Sequence, residues 1–253
     1  MKAFLLICSI VLIHSISYSD TKLDVTLAAD DWCPFTCDPA TPQGKGVLYD
    51  VLDEALKGQS YAINYQFINW ARATALMKKN KIDGLIGVYE TDFPELLLTK
   101  HPAMVSQDCF YALSSNQSLK DWTFKKLDSI NQLKVGIING YGYGELIDQF
   151  KVSKEGKEKF IEASGDDPLM QNIKKLEKNR VQVILENRMV IDHLRSKNSE
   201  LHLSEKGCLD PKKIYIGFTN NQKNKDIIKK IDVFLESPHS ANKINSIKAK
   251  YFK

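Results

Sequence analysis

Two aromatic stretches carry most of the chemistry this sequence can do. Asp31-Trp32-Cys33-Pro34-Phe35 offers the rings of Trp32 and Phe35 to stack on a ligand, beside the carboxylate of Asp31. Gly140-Tyr141-Gly142-Tyr143-Gly144 offers Tyr141 and Tyr143 as further walls on a glycine-rich turn. Between a strand and a helix, such a turn exposes backbone N–H groups at the positive helix end, which suits a carboxylate or another anion. Its alternative is a plain tight turn. It is not a dinucleotide fingerprint, because Ile147 stands where the third glycine belongs. Trp70 and Arg72 open a helix, and Arg72 can either grip an acidic ligand group in a bidentate contact or face solvent.

Catalytic signatures are absent. There is no G-x-S-x-G elbow, and the histidines at 14, 101, 193, 202 and 239 form no H-E-x-x-H pair. Of five cysteines, Cys8 lies in an apolar leader, which leaves Cys33, Cys37, Cys109 and Cys208. An even count in an exported chain fits two disulfides, with three pairings open. Cys33 and Cys37 share one loop, which favours Cys33–Cys37 with Cys109–Cys208. C-x3-C with two isolated partners is poor zinc spacing, so no metal and no cofactor are expected.

The elements that must position these residues read as alternating strands and helices. Leu23 to Ala29 is a strand, followed by a Pro-, Gly- and Cys-containing loop to Gly46. Val47, Leu48, Val51, Leu52, Ala55 and Leu56 repeat at helical spacing, and Gly58 stops them. Tyr61–Ile68 is a strand, Asn69 caps a helix from Trp70 to Lys79, and Ile82–Val88 is a buried strand. Lys134–Ile138 is a strand that leads through the glycine turn into a helix to Phe150. Asp167-Pro168 opens a helix to about Lys178, with strands at Val181–Leu185 and Ile214–Thr219. Two helices end the chain, near Lys225–Glu236 and Ala241–Tyr251. The segments 76–86 and 175–185 also echo each other, each a helix end, a basic residue and a buried strand. This order implies an α/β fold with mostly parallel sheets.

Composition sets the limits. The 253 residues are 43% hydrophobic and 26% charged, which excludes disorder and coiled coil and suits one large domain or two lobes. A net charge of +4 without Lys/Arg blocks excludes a nucleic-acid partner. Met1-Lys2, the apolar run Ala3–Ile13 and the small residues Ser17 and Ser19 read as a signal peptide cut after Ser19. The run is too short to span a membrane, which takes about 20 apolar residues.

The ordered motifs resemble the family 3 extracellular solute-binding proteins of bacterial ABC importers, the polar amino-acid type. The carriers are residues 31–35 with Gly46, Trp70-Ala71-Arg72-Ala73 through Gly87, Val135 to Gly144, Leu176 to Glu186, and Ile214-Tyr215-Ile216-Gly217-Phe218. The resemblance implies a two-lobed type II periplasmic-binding fold, two Rossmann-like lobes joined by a two-strand hinge. Residues 20–112 and 214–253 would form one lobe and 113–213 the other, after a leader at 1–19. The hinge strands would lie near Cys109–Ser114 and Ile214–Thr219, close to Cys109 and Cys208. A monomer exported to the periplasm would capture a small polar or zwitterionic, amino-acid-like ligand between its lobes and deliver it to a permease in the inner membrane. Asp31, Trp32, Phe35, Trp70, Tyr141 and Tyr143 would line the site. Arg72 and the turn from Gly140 would hold an anionic group, and Glu186 a cationic one. The family's Thr-x-x-Arg grip for an α-carboxylate is Thr91-Asp92-Phe93-Pro94 here, with Pro94 in place of the arginine. Two other readings follow from the same superfamily: a sensor module, or a dehydratase using Glu186 with Asp166 or Asp167 as acid and base.

Overall fold

One β-α-β-α-β unit occurs twice. In the computed structural model, which describes residues 22–252 except Thr41 and Gln43, the first copy is β1 (Leu23–Ala29), α1 (Val47–Ala55), β2 (Tyr61–Phe67), α2 (Trp70–Lys78) and β3 (Gly84–Val88). The short strands β4 (Leu97–Leu98) and β5 (Met104–Ser106) follow, then β6 (Asp108–Leu113). The second copy is β7 (Val135–Ile138), α3 (Glu145–Val152), β8 (Phe160–Ala163), α4 (Pro168–Glu177) and β9 (Val183–Asn187). After it come α5 (Arg188–Lys197), β10 (Leu203–Cys208), β11 (Lys212–Phe218), α6 (Gln222–Glu236) and α7 (Pro238–Tyr251). The leader expected at 1–19 lies outside the described residues. No helix among the described residues is long and apolar enough to cross a membrane.

The echo between 76–86 and 175–185 is a structural repeat. Asn80 and Asn179 both adopt left-handed backbone, with φ of 52° and 51°. Each ends its helix in a Schellman turn. Lys81 N–H donates to Leu76 O while Asn80 N–H donates to Met77 O, and Arg180 and Asn179 do the same to Lys175 and Leu176. Each turn then feeds the strand beside its sheet's antiparallel crossing strand.

The first sheet has the order β2-β1-β3-β11-β4, with β5 also paired to β11. The second has the order β10-β6-β9-β7-β8. Pairs β1–β2, β1–β3, β7–β8 and β7–β9 are parallel. The pairs made by β11 and β6 are all antiparallel, so the sheets are mixed rather than mostly parallel. The reason is the chain path, since a strand that returns from the other lobe enters its sheet against the grain. Both faces of each sheet are covered. Val25 and Leu27 pack on one side of β1 with Val47, Val51 and Ile231, while Ala28 packs on the other with Trp70 and Met77. In β9, Val183 and Leu185 face one core and Ile184 another.

The chain passes between sheets at Gln107 and at residues 209–211. The two passages are bonded together: Gln107 Nε2 donates to Leu209 O at 2.9 Å, and Leu209 N–H donates to Asp108 O. Helices α6 and α7 each begin three residues earlier than hydrophobic spacing suggests. Asn221 caps α6 by accepting from Asn224 N–H, and Pro238 stands in the first turn of α7.

Candidate functional site

A narrow cavity of about 30 Å³ lies between the sheets, room for one or two ordered waters. Its walls come from both lobes and lie just beyond strand ends, where open α/β sheets place ligands. Asp30 follows β1, Tyr89 follows β3, Glu186 sits near the end of β9, and Tyr141 and Tyr143 stand on the turn after β7. Rings of Trp32, Trp70, Tyr89, Tyr141 and Tyr143 share the lining with the carboxyl groups of Asp30, Asp92, Asp108 and Glu186.

The lobes touch across this cavity. Tyr141 Oη donates to Asp30 Oδ2 at 2.6 Å, and Trp70 Nε1 donates to Gly140 O at 3.0 Å. Trp32 hydrogen-bonds Glu186. Outside the cavity, His193 Nε2 lies 3.1 Å from Cys33 Sγ, and both line a separate outer pocket. Gly142 matters sterically, because a Cβ there would stand 2.1 Å from Asp92 Oδ1. Its missing side chain lets the Asp92 loop approach the turn.

Burial sets the electrostatics. It pushes the Asp30 carboxyl up to about 7, Asp92 to about 6 and Glu186 to about 8, because charge is costly in a dry cleft. Asp108 is also raised by burial, opposed by Lys212, whose ammonium pairs with it at 2.7 Å. The same ammonium sits 3.7 Å from the centroid of the Tyr89 ring.

Several sequence-based expectations change. Trp32, Trp70, Tyr141, Tyr143 and Glu186 meet at the cavity, whereas Asp31, Phe35, Arg72 and Gly140 do not line it. Phe35 is fully buried and stacks beneath Trp32 with centroids 4.3 Å apart. The loop turns back through a Trp32–Thr36 bridge, and the Phe35 carbonyl receives Leu48 N–H at the start of α1, which fixes the ring inward. Arg72 is exposed, because on α2 the buried face is Trp70, Ala73 and Met77. Two residues on from Trp70 is about 200° around the helix. Asp31 opens to a separate outer pocket with Asp38, Asp166, Asp167, His193 and Lys197. Asp166 and Asp167 therefore share no cavity with Glu186, and Asp167 is engaged in capping α4 through Met170 N–H.

The two tyrosine N–H groups of the glycine turn are not free for an anion. Tyr143 N–H donates to both carboxylate oxygens of Asp148, at 3.2 and 3.1 Å, and Tyr141 N–H donates to Ile138 O. Its carbonyls face ammonium groups instead: Lys151 Nζ donates to Tyr141 O, and Lys212 Nζ donates to Gly142 O. Gly140 contributes the carbonyl that holds Trp70.

Asp30, Tyr89, Asp92, Asp108 and Lys212 were not singled out by sequence. Asp30 and Tyr89 could have been, since each is the residue immediately after a buried strand. Asp108 and Lys212 stand where the two passages meet, which spacing does not reveal. Cys33 is bonded to Cys37, and Cys109 to Cys208 across the β6–β10 pair.

Two β-α-β-α-β lobes, joined by a pair of bonded crossings and enclosing a cavity at their strand ends, define the two-lobed periplasmic-binding-protein fold. Solved structures agree. A histidine kinase sensor domain with similarity to periplasmic binding proteins matches with a TM-score of 0.73 at 12% identity, covering 92% of this chain and 97% of its own. A putative L-cystine ABC transporter protein from Listeria monocytogenes matches at 0.71 and 15%, covering 90% and 95%. A mutant of ArgBP from T. maritima matches at 0.69 and 17%, covering 92% and 96%. No protein-family model and no curated protein matches the chain.

Proposed function

We propose that this chain is a non-enzymatic solute-binding protein of the family 3 type, which captures a small polar molecule between its lobes and presents it to the permease of an ABC importer. The observation that carries this reading is the composition of the cleft: rings and carboxyl groups from both lobes converge on one cavity, with Asp30–Tyr141 and Trp70–Gly140 bonding the lobes over it. A ligand touching both walls favours the closed state, because closure adds contacts from each side. The named neighbours include an ABC transporter protein, which favours transport over catalysis. The leader expected at residues 1–19 would direct the chain to the periplasm. The chain would act as a monomer.

A thermal-shift screen over amino acids, small peptides and organic amines tests the reading. A binder raises the melting temperature in proportion to the logarithm of its excess over Kd, and Trp32→Ala abolishes the shift. A folded sample with no response to any of these classes would overturn it. The second reading is a ligand-binding module that reports to a separate signalling partner, favoured by the sensor-domain likeness. Ligand-dependent capture of a kinase rather than a permease would select it.

A further inference from the structure

We propose that the ligand of this cleft is a small organic cation that carries no carboxylate, such as a short diamine or a methylated amine. This rests on the solute-binding reading and narrows it, away from the amino-acid-like ligand that the resemblance implies. The first ground is charge. Four carboxyl groups line the cavity and no basic residue does. The nearest cation, Lys212, is already committed to Asp108 at 2.7 Å.

The second ground is that no expected cationic grip on an anion reaches the cavity and the glycine turn is partly spent. Arg72 faces solvent on the far side of α2. Where the resemblance expects a carboxylate-binding arginine the chain has Pro94, and the member of that segment that lines the cavity is Asp92. The glycine turn spends the N–H groups of Tyr141 and Tyr143 internally and offers carbonyls to lysines. Once these groups ionise, a zwitterion would set its own carboxylate among Asp30, Asp92 and Glu186 with no basic residue in the lining, and buried like charges repel.

The third ground is a built example of the chemistry. Lys212 Nζ lies over the Tyr89 ring at 3.7 Å and against Asp108, so this wall already holds one ammonium between a π face and a carboxylate. Trp32, Tyr141 and Tyr143 bring further rings to the same cavity as the carboxyl groups of Glu186 and Asp30. An incoming cation would neutralise carboxyl groups that are otherwise costly to ionise in a buried site.

Titration calorimetry of the full chain near pH 8, where Glu186 ionises, separates the cases. One panel holds putrescine, choline and tetramethylammonium; the other holds arginine, glutamine, glutamate and cystine. The expected result is binding of at least one member of the first panel and none of the second, with Glu186→Gln weakening it by about tenfold or more. If Glu186→Gln does not fold, Asp30→Asn serves as the same test. Binding of an amino acid in the cleft, lost in Trp32→Ala and without any response to the cations, overturns this inference and leaves the solute-binding reading standing. A folded protein that binds neither panel overturns the cation inference.

Discussion

The phenol of Tyr141 reaches across the cleft and donates to the buried carboxyl of Asp30 at 2.6 Å. One residue stands on the turn after β7 and the other at the end of β1, so this bond exists only while the lobes are together. Hydrogen bonds contribute about 0.5–1.5 kcal/mol, and about 1.5–3 kcal/mol where the acceptor is charged. Tyr141→Phe is therefore expected to favour the open state and to enlarge the radius of gyration of the unliganded protein in X-ray scattering. Scattering identical to the wild type would show that other contacts hold the cleft shut.

Stability should fall as pH rises. Burial lifts Asp30 from 3.8 to about 7 and Glu186 from 4.5 to about 8. Between those limits the folded chain keeps protons that the unfolded chain has released. The resulting stability is complete below the unfolded values and is lost as pH passes through the folded ones. The melting temperature of the unliganded protein is expected to drop between about pH 5 and about pH 8.5. Glu186→Gln, which cannot ionise, should flatten the drop. A melting temperature that climbs over this range would contradict the burial of these groups.

Arg72→Ala should change little. The side chain is exposed, and α2 is held by Trp70, Ala73 and Met77 and by Asn69, whose side-chain Oδ1 accepts from the backbone N–H of Arg72. Stability is expected within about 0.5 kcal/mol of wild type, with ligand affinity unchanged in calorimetry. A large loss of affinity would return Arg72 to the site.

The two disulfides should differ in worth. Cys109–Cys208 closes a loop with a sequence separation of 99, and Cys33–Cys37 one of 4. On the chain-entropy relation these amount to about 5 and about 2 kcal/mol. Denaturant titration of the paired Cys→Ser variants is expected to show the larger loss for the long loop. The short one would instead alter the outer pocket, where Cys33 meets His193. Equal losses would count against the entropic account.

Much of the scaffold was legible because its signals are local. Alternation located β1 and β2, and Asn69 and Asp167 cap α2 and α4 through their own side chains. The repeated Lys-Asn-basic step marked two equivalent helix ends. Other elements were not legible. β8 is only four residues long, and β10, with the sequence Leu-Ser-Glu-Lys-Gly-Cys, is a half-exposed edge without apolar alternation. α5 begins directly after β9, with Asn187 ending the strand and capping the helix, so no turn residue separates them.

The sequence by itself determined the α/β class, the repeated unit and the aromatic loops, since each depends on neighbours a few residues apart. Only the tertiary structure decided the sign of the site. Asp30, Asp92, Asp108 and Glu186 are up to 156 positions apart and converge because the chain crosses between sheets twice. Arg72 turns away because helical phase places it opposite Trp70. Which charges survive in a cleft depends on who faces whom across it, and that is a property of the closed fold rather than of any segment.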